Sequence, residues 1–170
     1  MVFALALIGW LLNHYGVVDV IRPGTVSEAS GQRLVVRVVD GDTLVLDDDE
    51  RIRLIGVDTP ETKHPAKPVE PLGPEASAFT RRVAEGKLVT LRFDRDKRDR
   101  YQRLLAFVFI GERCLNEDLI LAGFSRCITR YPFDAAMQRR FQAAEAKARA
   151  AQRGIWHLNA TPPGSALHEQ

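Results

Sequence analysis

The sequence predicts an α+β protein: a five-stranded OB-fold β-barrel with three α-helices, preceded by an N-terminal apolar segment. Three observations lead to this prediction. Three strand-like stretches follow one another through short turns, a helical stretch comes next, and two strands and two helices complete the order. A helix inserted after the third of five strands is typical of an OB-fold, whose open face often binds nucleic acid.

Length and composition agree with one folded domain. The chain has 170 residues, of which 45% are hydrophobic and 27% are charged, as in globular proteins. The formal net charge of +2 implies no partner, but residues 92–103 contain six basic and three acidic side chains. Such a loop can attract a polyanion or simply compensate its own charges in solvent. Cys114 and Cys127 do not stand in a metal-ligand spacing, so we expect buried free thiols.

The N-terminal segment is apolar from residue 1 to residue 12. A membrane-spanning helix needs about 20 such residues, and neither a basic stretch before it nor a small-residue cleavage motif after it is present. We interpret residues 1–21 as a signal or anchor, so that the protein is secreted, periplasmic or membrane-anchored. Residues 22–32 then form a linker, residues 33–158 the folded domain and residues 159–170 a disordered tail.

The barrel strands are predicted from alternating or β-branched stretches that are separated by turns. They cover residues 34–39, 44–46, 51–57, 88–93 and 104–110. The turns at residues 40–43 and 47–50 make the first three strands a meander. The acidic run 47–50 is predicted to be an exposed hairpin tip.

The helices are predicted from capping residues and apolar periodicity. Gly73 and Pro74 open the first helix and Gly86 ends it, Gly123 ends a short second helix, and Asp134 caps a long third helix. The positions expected to face the core are Ala76, Phe79, Val83, Met137, Phe141, Ala144 and Ala148.

A charged group of residues is expected where these strands end. Asp42 and Asp58 can lie side by side in the meander, and two carboxylates with a backbone carbonyl suit Ca²⁺ or Mg²⁺. Arg53 and Arg103 would add two guanidinium groups that can bind a phosphate. Glu61 follows closely and could orient or deprotonate a water. Each residue also has an ordinary interpretation, since arginines beside aspartates commonly form ion pairs.

Several motifs in the same order resemble the staphylococcal nuclease (thermonuclease) family. They are VDGDT at 39–43, RLIGVDTPETKHP at 53–65, GPEASAF at 73–79, DRYQRLLA at 99–106, LNE at 115–117 and GIW at 154–156. The resemblance covers residues 34–156. It implies an OB-type barrel and a Ca²⁺-dependent phosphodiesterase that cuts DNA and RNA with little sequence specificity, leaving 3′-phosphates.

The resemblance also implies a metal site. By motif position, Asp42 and Asp58 would ligate Ca²⁺ through their carboxylates, and Thr59 would ligate it through its backbone carbonyl. Asp40 would support these ligands without binding the ion itself.

For catalysis, the resemblance implies that Arg53 and Arg103 bind the scissile phosphate. Glu61 would be the base or the group that positions the attacking water. A catalytically silent OB-fold module that binds nucleic acid or protein is the alternative. The presence of both arginines with the carboxylates favours the enzyme, because silent members usually lose them.

For substrate binding, the resemblance implies that Arg100 and Tyr101 contact a neighbouring phosphate and that Tyr131 forms one wall of the nucleotide pocket. A second tyrosine expected there is replaced by Thr129, and a lysine expected after Tyr131 is missing. Base stacking is therefore expected to be weaker or differently arranged. The expected partners are single-stranded or locally opened DNA and RNA, and the protein is expected to be a monomer.

Overall fold

The computed structural model describes residues 31–62 and 68–158. The predicted N-terminal segment, nearly all of the linker and the C-terminal tail lie outside these residues. The strands in the described ranges are β1 (Arg33–Asp40), β2 (Thr43–Leu46), β3 (Arg51–Leu54), β4 (Leu88–Arg92), β5 (Leu104–Ile110) and β6 (Arg113–Cys114). The helices there are α1 (Gly73–Ala84), α2 (Leu115–Leu121), α3 (Ala135–Ala150) and α4 (Ile155–Leu158).

The sheet closes on itself into a barrel. Its strands follow the order β3-β2-β1-β4-β5-β6, and an additional pairing joins β3 to β5. The β3–β5 pair is parallel and places Arg53 opposite Leu105. The other strand pairs are antiparallel. This closed barrel with its helices confirms the predicted OB-type α+β architecture.

Strand β3 is shorter than predicted, since it ends at Leu54 and not at residue 57. Gly56 turns the chain with φ of 73°, a conformation that favours glycine. A Cβ atom at this position would lie 2.9 Å from Cζ of Phe133. The turn therefore ends the strand early and carries Asp58 to the rim of the barrel.

The core contains the predicted inward faces of the helices. Ala76, Phe141, Ala144 and Ala148 are buried, and the half-buried Phe79, Val83 and Met137 pack against the core. The Asp134 side chain caps α3 by accepting the N–H of Met137 at 2.8 Å, as predicted. Two small elements, β6 and α4, were not predicted from the sequence because each is too short to show a periodic pattern of apolar residues.

Asn116 joins helix α2 to the strands that close the barrel. Its side-chain oxygen accepts the N–H of Val108 at 3.0 Å. Its amide group donates to the carbonyls of Ile55 at 2.9 Å and Ala106 at 3.2 Å. This buried side chain therefore fixes the end of β3 against β5, just before the chain reaches Asp58.

The two cysteines carry free thiols. Cys114 is buried as expected, whereas Cys127 is only half-buried. Burial raises the pKa of each thiol to about 11, so both stay protonated at neutral pH. Across residues 31–62 and 68–158, no helix has both the length and the apolar character needed to cross a bilayer.

Candidate functional site

Arg53 brings the two predicted carboxylates together. One terminal nitrogen of its guanidinium lies 2.7 Å from Oδ2 of Asp42, and the other lies 2.7 Å from Oδ1 of Asp58. The contact with Asp58 is a hydrogen bond, whereas the contact with Asp42 is an ion pair without hydrogen-bond geometry. The Asp42 side chain is only 8% exposed and that of Asp58 is 51% exposed. One carboxylate is thus fixed inside the site, and the other stands at its solvent edge.

The Asp42 carboxylate is held by the turns on either side of it. Oδ2 accepts the N–H and the hydroxyl of Thr59, at 2.8 Å and 3.1 Å, and Oδ1 accepts the hydroxyl of Thr43 at 3.1 Å. Asp40 accepts the N–H of Asp42 at 3.1 Å. Thr59 can approach this closely because Gly41 has no side chain: a Cβ atom there would lie 2.6 Å from the Thr59 hydroxyl.

Among the described residues that contact Asp42 or its partner Arg53, acidic side chains outnumber basic ones. Burial raises the pKa of Asp42 to about 6, although Arg53 lowers it, and the negative charge of Asp40 raises it further. Asp40, Asp42 and Asp58 together carry three negative charges against the single positive charge of Arg53. An excess of negative charge around a buried carboxylate favours binding of a proton or a cation.

The donor atoms of this group fit a hard divalent cation. The carboxylates of Asp42 and Asp58 and the backbone carbonyl of Thr59 are oxygen donors, which Ca²⁺ prefers. Within the described ranges, no three His, Cys, Asp or Glu side chains are arranged to hold a metal ion. Backbone and water oxygens would therefore complete the coordination. Arg53 contacts both carboxylates. A cation that both carboxylates bind would therefore have to break or weaken at least one of these ion pairs.

Arg103 is positioned by Asp99. Its Nε donates to Oδ2 of Asp99 at 2.7 Å, and a terminal nitrogen lies 2.7 Å from the same oxygen. Asp99 also accepts the N–H groups of Tyr101 at 2.9 Å and of Arg103 at 3.0 Å. Burial raises the pKa of Asp99, but the hydrogen bonds from Arg103 and the backbone lower it by more, so the net shift is downward. A remaining nitrogen of Arg103 lies 3.5 Å from the Thr43 hydroxyl, close to the Asp42 network.

Both arginines line one open cavity of about 460 Å³. Asp58 lies in the same wall. The other residues predicted to contact substrate also line it, namely Arg100, Tyr101 and Tyr131. Tyr101 is 64% exposed and Tyr131 is 69% exposed, so both rings are accessible. The cavity can therefore present at least three guanidinium groups and two accessible aromatic rings to one ligand.

Glu61 is not among the residues that line this cavity. Its carboxylate accepts the N–H of Thr62 at 2.9 Å, and its own N–H donates to the side chain of Glu70 at 3.1 Å. The structure thus brings together Asp42, Arg53 and Asp58, and neither Asp42 nor Glu61 is part of the cavity wall itself.

Three residues of the site were not identified from the sequence. Asp99 orients Arg103, and the acid–base spacing of four residues was the available signal. Ser125 accepts the N–H of Asp58 at 2.9 Å across 67 residues of sequence, so no local pattern marks it. Arg130 lines the cavity next to Tyr131, and its position beside that tyrosine was the only sequence signal.

The fold and this site define a class of protein: an OB-type barrel that carries paired arginines and carboxylates at its rim. The family model described as staphylococcal nuclease homologue matches residues 51–158. The chain belongs to the staphylococcal nuclease family.

Individual relatives agree with this family. The chain is 42% identical over 125 residues to a protein named thermonuclease from Staphylococcus hyicus. The matched region covers 72% of this chain and 73% of that protein. It is also 42% identical over 126 residues to a thermonuclease from Staphylococcus intermedius, covering 72% and 74%. Endonuclease YncB of Bacillus subtilis (strain 168) is 33% identical over 124 residues, covering 71% and 59%.

Proposed function

We propose that this protein is a Ca²⁺-dependent nuclease that hydrolyses phosphodiester bonds of DNA and RNA with little sequence specificity, giving 3′-phosphate products. The observation that carries the proposal is the shared cavity of Arg53 and Arg103, with Asp58 in its wall and Asp42 behind it. Relatives named thermonuclease and endonuclease support it.

The two arginines bind the scissile phosphate. As a water attacks phosphorus and the bond to the 5′ oxygen breaks, which leaves a 3′-phosphate and a 5′-hydroxyl, negative charge grows on the non-bridging oxygens. Fixed guanidinium groups stabilise that charge. Loss of one such donor typically costs about 10²–10³ in turnover. Asp99 holds Arg103 in the required direction through its two contacts of 2.7 Å.

Asp42, Asp58 and the backbone carbonyl of Thr59 are the proposed Ca²⁺ ligands, and Asp40 supports Asp42 through its backbone N–H. When bound by these residues, Ca²⁺ would polarise a phosphoryl oxygen and make a water more acidic. Glu61 is the proposed base or water-positioning group. One oxygen of its carboxylate accepts the N–H of Thr62 at 2.9 Å, which orients the side chain.

The cavity explains the weak sequence preference that we propose. Arg100, Tyr101 and Tyr131 offer charge and aromatic surface, which contact phosphates and base faces and leave the base edges unread. We further propose that the protein works as a monomer outside the cytoplasm, exported or membrane-tethered by residues 1–21. The apolar sequence of residues 1–12 supports this location.

A cleavage assay tests the proposed function. The full-length protein is incubated with single-stranded DNA or RNA in Ca²⁺ or in EGTA, and the product ends are identified by mass spectrometry. We expect cleavage in Ca²⁺ only, and a loss of about 10²–10³ in turnover for Arg53→Ala or Arg103→Ala. Arg139→Ala, which removes an exposed charge on α3 away from the cavity, is the control. Binding without cleavage would instead identify a silent OB-fold module.

A further inference from the structure

Arg130 lies in a segment whose successive side chains face two different cavities. Ile128 and Arg130 line the large cavity that contains Arg53 and Arg103. Cys127 and Thr129 line a separate, smaller cavity against α3. Alternation of this kind is expected of extended backbone. Thr129, at the position where a tyrosine was expected, therefore faces away from the candidate site, and Arg130 faces into it.

Arg130 is also placed to act on a ligand. Its guanidinium carbon lies 5.1 Å from the centre of the Tyr131 ring, within the range of a cation–π contact. Arg53 and Arg103, in contrast, are each bound to aspartates at 2.7 Å. With the described acidic residues, Arg130 forms no ion pair within 4.0 Å. Its charge is therefore available to an anion in the cavity.

We propose that Arg130, oriented by the Tyr131 ring, binds a backbone phosphate of the nucleic-acid strand next to the phosphate held by Arg53 and Arg103. This inference rests on the proposed function, because it extends the same site along the strand. It gives the chain a charge-based contact where stacking on a second tyrosine was expected. Affinity should depend on the number of phosphates in the strand and on salt, and little on which base is present.

The size of the effect follows from counterion release. Each phosphate neutralised on a single strand contributes about 0.7 to the slope of log affinity against log salt. Removing one contact should therefore make that slope shallower by about 0.7 and weaken binding about fivefold at 0.1 M salt. The loss should disappear as the salt concentration approaches 1 M.

The test is a binding titration of labelled single-stranded oligonucleotides by fluorescence anisotropy, in EGTA, over a range of salt concentrations. Arg130→Gln is compared with Arg126→Gln. Arg126 is the matched control because it is also exposed and also lies over an aromatic ring, with its guanidinium carbon 5.0 Å from the centre of Trp156, but it is not in the cavity wall. We expect the reduced slope in Arg130→Gln alone, and restoration of the slope in Arg130→Lys.

Measurements of KM and kcat distinguish a role of Arg130 in binding from a role in the cleavage step. In Ca²⁺, Arg130→Gln should raise KM for long strands about fivefold and leave kcat unchanged, and it should leave KM for a dinucleotide unchanged. Equal slopes for Arg130→Gln and Arg126→Gln would overturn the inference. Binding by the unmodified protein without cleavage, with the slope still reduced in Arg130→Gln, would overturn the proposed nuclease activity and support the Arg130 contact.

Discussion

Arg53 is expected to weaken the Ca²⁺ binding that we propose for its own site. Its guanidinium holds both Asp42 and Asp58 at 2.7 Å, and these are the carboxylates proposed to bind Ca²⁺. A cation that takes either carboxylate must displace or weaken an ion pair. Replacing Arg53 with glutamine should therefore tighten Ca²⁺ binding, while cleavage falls by about 10²–10³ because the phosphate loses a donor.

The magnitude follows from the two contacts. Asp42 and Arg53 have side chains that are 8% and 17% exposed, and close charge pairs sheltered from solvent have coupling energies from about 1.5 kcal/mol upwards. Asp58 is 51% exposed, so solvent screening leaves its pair with about 0–1 kcal/mol. Relief of about 2 kcal/mol corresponds to roughly thirtyfold in affinity.

Isothermal titration calorimetry of the nucleotide-free protein with Ca²⁺ measures this gain directly. Arg51→Gln is the matched control, because Arg51 is an exposed arginine on the same strand and its replacement removes the same charge outside the cavity wall. We expect Arg51→Gln to bind Ca²⁺ within about twofold of the unmodified protein, as exposed charges are screened. If Arg53→Gln bound Ca²⁺ no more tightly than Arg51→Gln, the cation would not compete with Arg53 for the carboxylates.

Three further predictions concern residues that hold the site in place. Gly41→Ala puts a Cβ atom 2.6 Å from the Thr59 hydroxyl, so urea unfolding should show a loss of about 1–3 kcal/mol; an unchanged midpoint would contradict the close approach. Asp99→Asn should lower turnover by up to about 10²-fold by misplacing Arg103, with an unchanged circular dichroism spectrum; full activity would show that Arg103 needs no partner. Burial raises the pKa of Asp42 to about 6, so the metal-free folded state holds this proton more tightly than the unfolded chain. The protonated Asp42 therefore makes its full contribution to the free energy of unfolding below its ordinary pKa of 3.8, and this contribution, about 3 kcal/mol, is lost as the pH rises from there through 6; in EGTA, Asp42→Asn should remove this dependence, and identical pH profiles for the two proteins would refute it.

Much of the fold is contained in local sequence patterns. The Asp134 cap and the inward face of α3 depend on neighbours within a few residues, and the structure agrees with both. The predicted end of β3 was wrong because a strand-like sequence continues to residue 57. The chain turns earlier, at Gly56 with its positive φ, where Phe133 leaves no space for a side chain. Packing between distant segments decided that boundary.

The sequence was sufficient to predict which residue types form the candidate site and at which strand ends they lie. Asp42, Arg53 and Asp58 lie where the meander was expected to bring them, since turns and strand ends can be recognised locally. The bond between Ser125 and the N–H of Asp58 spans 67 residues and leaves no local signal. The direction of the Glu61 carboxylate, towards Thr62, is a choice of side-chain rotamer that sequence spacing does not determine.

The parallel pairing of β3 with β5 has a consequence for how the protein loses activity on heating. Arg53 belongs to one of these strands, and Arg103 immediately precedes the other. A ladder of main-chain bonds, rather than a mobile loop, therefore sets the spacing of the two guanidinium groups. Warming should leave the pair aligned until the barrel opens as a whole, so thermal inactivation and global melting are expected to coincide at one temperature.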